Sequence, residues 1–375
     1  MEGMDKNGFS IQVWNNKQFA NEELYARKIG VIYDATMDEL SILAARSAPD
    51  PENIFSFDSN SFAKAKSKQL LLEMASNVTA LIDDGAAASW ILAAQKTQEL
   101  VYYHTTNVPK AQVAASLPRN IDGFKGFQSR KYFFDLSERV WNITQQFKQE
   151  MELAVDVALL EGKSAQRLSQ DIRPLLKEPN KLFRRVRDKR GVLQLSKAAA
   201  AYHPGQGVYR SSYKNAMRVA RTEINMAYRA SDHYRWAKLD IIVGYRINLS
   251  NNPNHCPMCE ALAGDYPKQF KFTGWHPHCR CYVTSILASA EERRAISKAM
   301  IRGESTEGLT SKNNMQDMPE NYKSWTKENQ DRLLNASKPP YFVIENYTGR
   351  KLENGLTFPT NSASNTGQGR EQNGL

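Results

Sequence analysis

The densest chemistry of this chain lies in Asn254-His255-Cys256-Pro257-Met258-Cys259 and, sixteen residues later, in His276-Pro277-His278-Cys279-Arg280-Cys281. These two runs hold all four cysteines of the 375 residues and three of the six histidines. Cysteine and histidine are the usual ligands of structural zinc. The close spacing of these residues in the sequence therefore indicates a metal site.

The two runs together supply a tetrahedral set of ligands. Cys-x-x-Cys places two thiolates on one tight turn, and His-x-x-Cys adds an imidazole and a third thiolate from a second turn. Such a shell is closed, with no open position for water, as in structural zinc sites. The predicted zinc ligands are Cys256, Cys259, His276 and Cys279, with Cys281 as the alternative and His255 and His278 as further substitutes.

Three other interpretations of the same residues stay open. The four cysteines could form disulfides, although the first residues show no export signal that would carry the chain to an oxidising compartment. They could instead be reduced thiols packed under a small sheet, with His276 hydrogen-bonded beside them. Catalytic use of cysteine and histidine would need a geometry that spacing alone does not give.

Strands are predicted on both sides of the cysteine motif, and helices elsewhere. Ile241–Leu249 and Tyr282–Leu287 are rich in β-formers, and a metal or thiol cluster between them would stabilise a sheet too small to persist alone. Apolar residues three and four apart predict helices over Glu23–Arg46, Lys66–Leu81 and from Asp135 or Ser137 to Gly162. The predicted fold class is mainly α, a multi-helix body with a small α+β Cys/His module.

A further helix is predicted from Ser211 or Ser212 to about Leu239. On it Arg218, Arg221 and Arg229 lie on one face, because their spacings are three and eight residues. We interpret this face as a surface for nucleic acid or a partner. Glu223 lies two residues after Arg221, so the two cannot meet on one helix, and we interpret Glu223 as a structural ion-pair residue.

An ordered combination of motifs runs through this region. It consists of Arg218-x-x-Arg221-Thr222-Glu223 on a helix, then Cys-x-x-Cys, then His276-Pro277-x-Cys279-Arg280-Cys281. The combination resembles the phage Mu protein F family of minor head (head morphogenesis) proteins. The similar region spans roughly residues 136–287.

Members of that family are minor components of tailed-phage proheads, associated with the portal vertex and in some cases with DNA. The resemblance implies a virion assembly protein that is not an enzyme. Its implied partners are the portal protein, other phage head proteins and double-stranded DNA. Its implied location is the host cytoplasm during assembly and then the head of the virion.

The positive charge of the chain is local. The net charge is +10, and the segment from Lys181 to Arg221 holds eleven lysines and arginines but a single acid, Asp188. Such a segment can bind phosphates without sequence preference, although a solvated helix face is the alternative interpretation. We expect it to be partly helical and exposed. Its predicted binding residues are Arg184, Arg185, Arg187, Lys189 and Arg190.

The chain is long enough for two or three domains. We predict an N-terminal helical region at 1–130, a helical core at 131–240 with the basic segment at 181–221, the Cys/His module at 241–290, and C-terminal helices with a disordered tail at 291–375. The longest apolar stretch, Ala86–Ala94, is far shorter than the roughly 20 residues that cross a bilayer, so we expect no membrane contact.

Two other functions stay open. One is a phage-encoded effector enzyme, nuclease-like or transferase-like, on the same scaffold. The other is a zinc-stapled DNA-binding module. The sequence contains no Gly-rich phosphate loop, nucleophile elbow or His-Glu-x-x-His motif, so we predict no catalytic residues.

Overall fold

The computed structural model describes residues 8–47, 53–118, 120–130, 135–160, 186–187, 191, 193–194, 202, 209, 211–250, 255–306, 308–309, 311–336 and 339–347. Within these residues the helices are α1 (Ile11–Arg46), α2 (Ser61–His104), α3 (Lys110–Ser116), α4 (Asn120–Gln128), α5 (Leu136–Leu160), α6 (Ser212–Trp236), α7 (Pro257–Ala261), α8 (Ala290–Arg302), α9 (Glu320–Glu328), α10 (Gln330–Leu334) and α11 (Tyr341–Asn346), with a short 3-10 helix at Phe57–Ser59. The strands are β1 (Val186–Arg187), β2 (Leu193–Gln194), β3 (Ile242–Asn248), β4 (Gly264–Tyr266) and β5 (Tyr282–Leu287).

These elements confirm the predicted fold class, mainly α with a small β module near the cysteines. Two predicted helices are parts of longer ones, since α1 and α2 span 36 and 44 residues. In the basic segment the described residues include the antiparallel pair β1–β2 and the first ten residues of α6, Ser212–Arg221, so the segment is partly helical as expected. No helix in the described part of the chain is long and apolar enough to cross a membrane.

The chain divides into two compact units, each assembled from segments that are distant in sequence. The helical unit comprises Asn16–Ser89 and Phe124–Ala227, and the module unit comprises Met1–Asn15, Trp90–Gly123 and Tyr228–Leu375. The four regions predicted from the sequence are consecutive instead. The difference arises because α2 and α6 are long helices that contribute residues to both units.

In the helical unit, side chains of α1 and α6 pack closely against Gly85 of α2. A Cβ on Gly85 would come within 2.6 Å of Ile224 Cδ1 and 2.9 Å of Tyr25 Cγ, so only glycine permits this approach. Ile224 is fully buried. Close packing of this kind makes a core sensitive to the volume of even one methyl group.

A buried carboxylate ties α5 to the start of α6 in the same unit. Glu150 Oε1 accepts hydrogen bonds from the Ser212 backbone N–H at 2.6 Å and from the hydroxyl of Tyr202 at 3.1 Å. Its Oε2 accepts from Ser212 Oγ at 2.6 Å. Burial nevertheless raises the pKa of Glu150 to about 7, because the loss of water costs the charged form more than these donors return.

In the module unit β3 is the central strand of an antiparallel sheet with the order β4-β3-β5. Ile247 pairs with Gly264 of β4 and with Val283 of β5. The helix α7 ends just before β4, and Cys281 directly precedes β5. The sheet therefore brings the two cysteine turns to the same end of β3.

An aromatic cluster packs against this sheet and fixes the second cysteine turn. The rings of Tyr266, Phe270, Trp275 and Tyr322 are all fully buried, and their centroids lie 5.1 to 6.5 Å apart. Such offset and edge contacts stabilise a core beyond the area that they bury. Because Trp275 directly precedes His276, its position limits where the imidazole can lie.

The same unit buries an ion pair between α2 and α6. Lys96 Nζ lies 2.5 Å from Asp232 Oδ2, and each residue is only 1% exposed. The ammonium also lies 4.2 Å from the centre of the Tyr228 ring. Burial lowers the pKa of Lys96 and raises that of Asp232, because both charged forms lose their hydration. The mutual attraction of the two charges offsets this loss.

The raised pKa of Glu150 predicts a specific dependence of stability on pH. An acid whose pKa is higher in the folded than in the unfolded state favours folding below its unfolded pKa. That contribution is lost as the pH rises from about 4.5 to about 7. Over this range the free energy of unfolding should fall by up to roughly 3 kcal/mol, and Glu150→Gln should lack this fall.

The measurement is urea unfolding of both proteins at pH 5 and pH 8. All other titrating groups are common to the two proteins, so the difference between their pH responses isolates residue 150. Equal responses would show that Glu150 ionises in the folded protein as it does in water.

Candidate metal centre

The first cysteine turn is the beginning of α7. Cys256 is the N-cap of this helix, and its Sγ accepts a hydrogen bond from the Cys259 backbone N–H at 3.3 Å. Pro257 occupies the first helical position, where the missing N–H is not needed. This cap geometry places both sulfur atoms on the same side of the turn.

The second turn depends on two unusual backbone conformations. Gly274 has a φ of 134° and His278 a φ of 59°, both in the region that favours glycine. The Cys279 N–H donates to the His276 carbonyl at 3.1 Å, which closes the turn between them. The glycine two residues before His276 was the sequence signal for this geometry, and our sequence analysis did not use it.

The structure brings all five predicted ligands together as two overlapping triplets. Cys256, Cys259 and His276 form one, and Cys259, Cys279 and Cys281 form the other, each with its ligand atoms within 4.8 Å of one another. His276 Nε2 lies 3.1 Å from Cys256 Sγ and 3.2 Å from Cys259 Sγ. Cys259 Sγ lies 4.0 Å from Cys279 Sγ. Cys259 is therefore the shared ligand.

These distances fit a bound metal ion. Bonds of about 2.3 Å to sulfur and 2.0 Å to nitrogen in a tetrahedron require ligand atoms about 3.5 to 3.8 Å apart. The observed S···N separations of 3.1 and 3.2 Å are slightly shorter and the S···S separation of 4.0 Å slightly longer, so the side chains would shift by only a few tenths of an ångström around an ion. All four cysteines are free thiols, which excludes the disulfide interpretation in this structure. The cluster can therefore hold a metal.

The histidine is oriented for this role by a backbone carbonyl. His276 Nδ1 lies 2.8 Å from the Pro277 carbonyl oxygen, which can only accept a hydrogen bond. The proton is thus assigned to Nδ1, and the lone pair of Nε2 is left facing the two sulfurs. An outer hydrogen bond of this kind is what fixes the tautomer of most metal-binding histidines.

The thiols share their protons unequally. The hydrogen bond with Cys279 raises the pKa of Cys259. Hydrogen bonds from Cys259 and Cys281, together with the nearby Arg229 guanidinium, hold the pKa of Cys279 well below its usual value. Because the thiolate is the form that binds metal, Cys279 is the sulfur best prepared for it.

The two histidines considered as substitute ligands have other partners. His255 Nε2 lies 2.6 Å from the Ser250 carbonyl oxygen, and His278 Nε2 accepts a hydrogen bond from Arg280 Nε at 2.9 Å. Neither belongs to a triplet. The structure therefore separates His276 from the other two histidines of the motif, which spacing could not do.

Arg229 lies inside the protein rather than on a binding face. It is 4% exposed, and its guanidinium donates to the carbonyl oxygens of Thr273 at 3.0 Å, Cys279 at 2.8 Å and Cys281 at 2.5 Å. A Cβ on Gly274 would come within 2.7 Å of its Nη1. This differs from the partner-binding role expected from the sequence, because the arginine points into the cysteine turn.

The other residues of the Arg-Thr-Glu segment form ion pairs within the helical unit. Arg221 binds Glu23 with two hydrogen bonds of 2.9 Å each. Glu223 is 1% exposed and lies 2.8 Å from Arg139 and 3.5 Å from Arg130. Glu223 thus has the structural ion-pair arrangement that the sequence analysis expected, whereas Arg221 is held by a carboxylate.

The remaining predicted binding residues divide by whether the structure describes them. Arg218 is half-buried and its guanidinium lies 5.3 Å from the centre of the Tyr209 ring. Arg187 belongs to β1. Arg184, Arg185, Lys189 and Arg190 lie outside the described residues, so their role stays a prediction.

Comparisons of this chain with protein-family models, with curated protein sequences and with solved structures found no match. The resemblance to the Mu protein F family therefore rests on the order of the motifs in the sequence alone.

The triplets predict which histidine binds metal. When the protein is purified without a polyhistidine tag, His276→Ala should lower its affinity for the metal by at least about 100-fold, because a first ligand is lost. His255→Ala and His278→Ala are matched controls that should keep the metal, since their imidazoles have other partners. Competition with a chelator of known affinity measures the difference, and equal affinities in all three variants would contradict this ligand set.

The contacts of Arg229 predict that it is essential for stability. Arg229→Met keeps the length of the side chain but leaves three buried carbonyls without a donor, at a cost of about 3 kcal/mol or more. Arg218→Met is the control on the same helix and should cost less, because Arg218 is only half-buried and its cation–π contact with Tyr209 is worth about 1 kcal/mol. Urea unfolding of both variants followed by tryptophan fluorescence tests this, and similar losses would refute a special role for Arg229.

Proposed function

We propose that this chain is a minor head protein of a tailed phage or prophage, acting in head morphogenesis at or near the portal. The observation that carries the proposal is the ordered combination in the sequence of the three motifs that resemble the Mu protein F family. The helix with the Arg-Thr-Glu segment also carries Arg229, whose side chain binds the turn that holds His276, Cys279 and Cys281.

The metal in this proposal is zinc, and its role is structural. Zinc prefers sulfur and nitrogen ligands in a tetrahedron, and the cluster offers four sulfurs and one imidazole nitrogen. The chain would complete such a shell by itself and leave no position for a substrate. Cys259, Cys279 and Cys281 are at most 5% exposed, which is typical of a structural rather than a catalytic centre.

A structural zinc meets a need of this module. The sheet has three strands, and β4 contributes only three residues. Metal binding energy adds to folding energy when the site forms only in the folded state. Zinc would fix α7 to the start of β5 and keep the ends of β3 and β5 paired.

The partners in this proposal are the portal protein and other head proteins, with double-stranded DNA as a further contact. Arg221 and Arg229 are held by Glu23 and by backbone carbonyls, so they do not support a DNA surface. Contact with DNA would depend on the basic residues from Arg184 to Arg190. Their charge supports a salt-sensitive contact without sequence preference.

The location of the chain in particles tests the proposal. We expect the chain in heads, and not in tails, purified from the phage or induced prophage that encodes it. Its copy number in heads should be a small fraction of that of the major capsid protein. Quantitative mass spectrometry of the two fractions makes the measurement. Elemental analysis of the purified protein should also find about one zinc per chain.

A Cys259→Ala phage provides the control, because it removes the ligand shared by both triplets. We expect heads with less of the chain and fewer infectious particles. Absence of the wild-type chain from heads would overturn the proposal, and a nuclease or transferase activity of the purified protein would favour an effector enzyme instead.

A further inference from the structure

The five sulfur and nitrogen ligands of the candidate metal centre form two triplets with one common member. Cys256, Cys259 and His276 make up the first triplet, and Cys259, Cys279 and Cys281 make up the second. A single tetrahedral zinc ion takes four ligands, so it always leaves one of the five unused. Two ions with three ligands each would use all five, provided that the Cys259 sulfur binds both.

The dimensions of the triplets allow an ion with three ligands. Bonds of about 2.3 Å to three sulfurs in one plane place those sulfurs about 4.0 Å apart. In the second triplet Cys259 Sγ lies 4.0 Å from Cys279 Sγ. In the first triplet His276 Nε2 lies 3.1 and 3.2 Å from the two sulfurs, so the imidazole would move outward by about 0.5 Å to bind.

Soft monovalent ions suit such a set of ligands. Copper(I) prefers thiolate and imidazole, and two or three of these ligands saturate it. Zinc with only three protein ligands instead keeps an open position for water, as in catalytic centres. Cys259, Cys279 and Cys281 are at most 5% exposed, so the second triplet gives that water little access.

The buried charge beside the cluster also favours two monovalent ions over two zinc ions. Arg229 is 4% exposed and donates to the carbonyl oxygens of Cys279 and Cys281. The Asp232 carboxylate interacts with Arg229 but is already paired with Lys96. Four thiolates would exactly cancel the charge of two zinc ions, whereas with two copper(I) ions they leave two negative charges. A negative cluster attracts the guanidinium and lowers the cost of its burial.

We propose, building on the metal centre proposed above, that this cluster binds two copper(I) ions, one in each triplet, with the Cys259 thiolate bridging them. One zinc ion and two copper(I) ions are then alternative occupants of the same ligands. Because thiolates favour the softer ion, copper(I) should displace zinc. The proposal requires that the cluster binds metal, but not that the chain is a phage head protein.

Anaerobic titration of the full chain with copper(I) tests the proposal. The metal is added as its acetonitrile complex to protein purified without a polyhistidine tag, with a copper(I) chelator present to remove weakly bound ions. Native mass spectrometry should show saturation at about two copper ions per chain, with loss of the zinc. Copper X-ray absorption should show three sulfur or nitrogen ligands and a second copper nearby. Saturation at one ion, or a spectrum without the second copper, would overturn the proposal.

Single substitutions separate the two triplets. Cys256→Ser and Cys281→Ser each remove a ligand from one triplet, so each should reduce saturation from about two copper ions to about one. Cys259→Ser should remove both ions, because both triplets lose the bridging sulfur. His255→Ala is the matched control and should keep both ions, since His255 belongs to neither triplet. Two ions retained by Cys256→Ser or by Cys281→Ser would contradict the proposal.

These measurements separate the copper site from the other proposals. The X-ray absorption spectrum of the wild type involves no substitution, so it decides the question even when a variant does not fold. Two bound copper ions in a chain that is absent from phage heads would support the copper site and overturn the assembly role. A chain that occurs in heads with one zinc, but takes up only one copper ion, would do the reverse.

Discussion

One buried guanidinium determines the geometry of the module. Taking Arg229 out of water is costly unless its donors are paired, and the chain pairs them with three carbonyl oxygens of the turn between Thr273 and Cys281. The Phe272 ring covers the guanidinium at 5.1 Å. Hydrogen bonds from Cys259 and Cys281 lower the pKa of Cys279, and the positive charge of the nearby Arg229 guanidinium adds to this lowering.

The same contact explains how two short turns can form one cluster. Both turns are short, and α7 is only five residues long. The first turn is shaped by its own helix cap, whereas the second is held by Arg229 on one side and by Trp275 on the other. The ligands are thus positioned by elements outside the turns, which is the usual means of making a site precise.

The sequence was sufficient where the controlling interactions are local. Tyr282–Leu287 is a strand with the predicted ends, because β-branched residues and a bounded run specify it. Interactions between residues distant in the sequence could not be predicted in this way. Arg221 pairs with Glu23, 198 positions away, and spacing on one helix cannot reveal that partner. For the same reason Arg229 looked like a surface residue. The five candidate ligands were predicted from spacing, but their division into two triplets needed the turns themselves.

The direction in which the Arg229 side chain points depends on the rotation of α6 about its own axis. Asp232 is three residues later on the same helix. It forms an ion pair with Lys96, and the side chains of both residues are buried. Rotating the helix by even one residue position would strand both charges in the core, at a cost that a buried pair avoids only when its geometry is kept. The pair therefore works less as a source of net stability than as a lock on the direction in which Arg229 points. The second turn, which Arg229 holds through three carbonyl oxygens, therefore depends also on this buried ion pair, whose carboxylate interacts with the Arg229 charge.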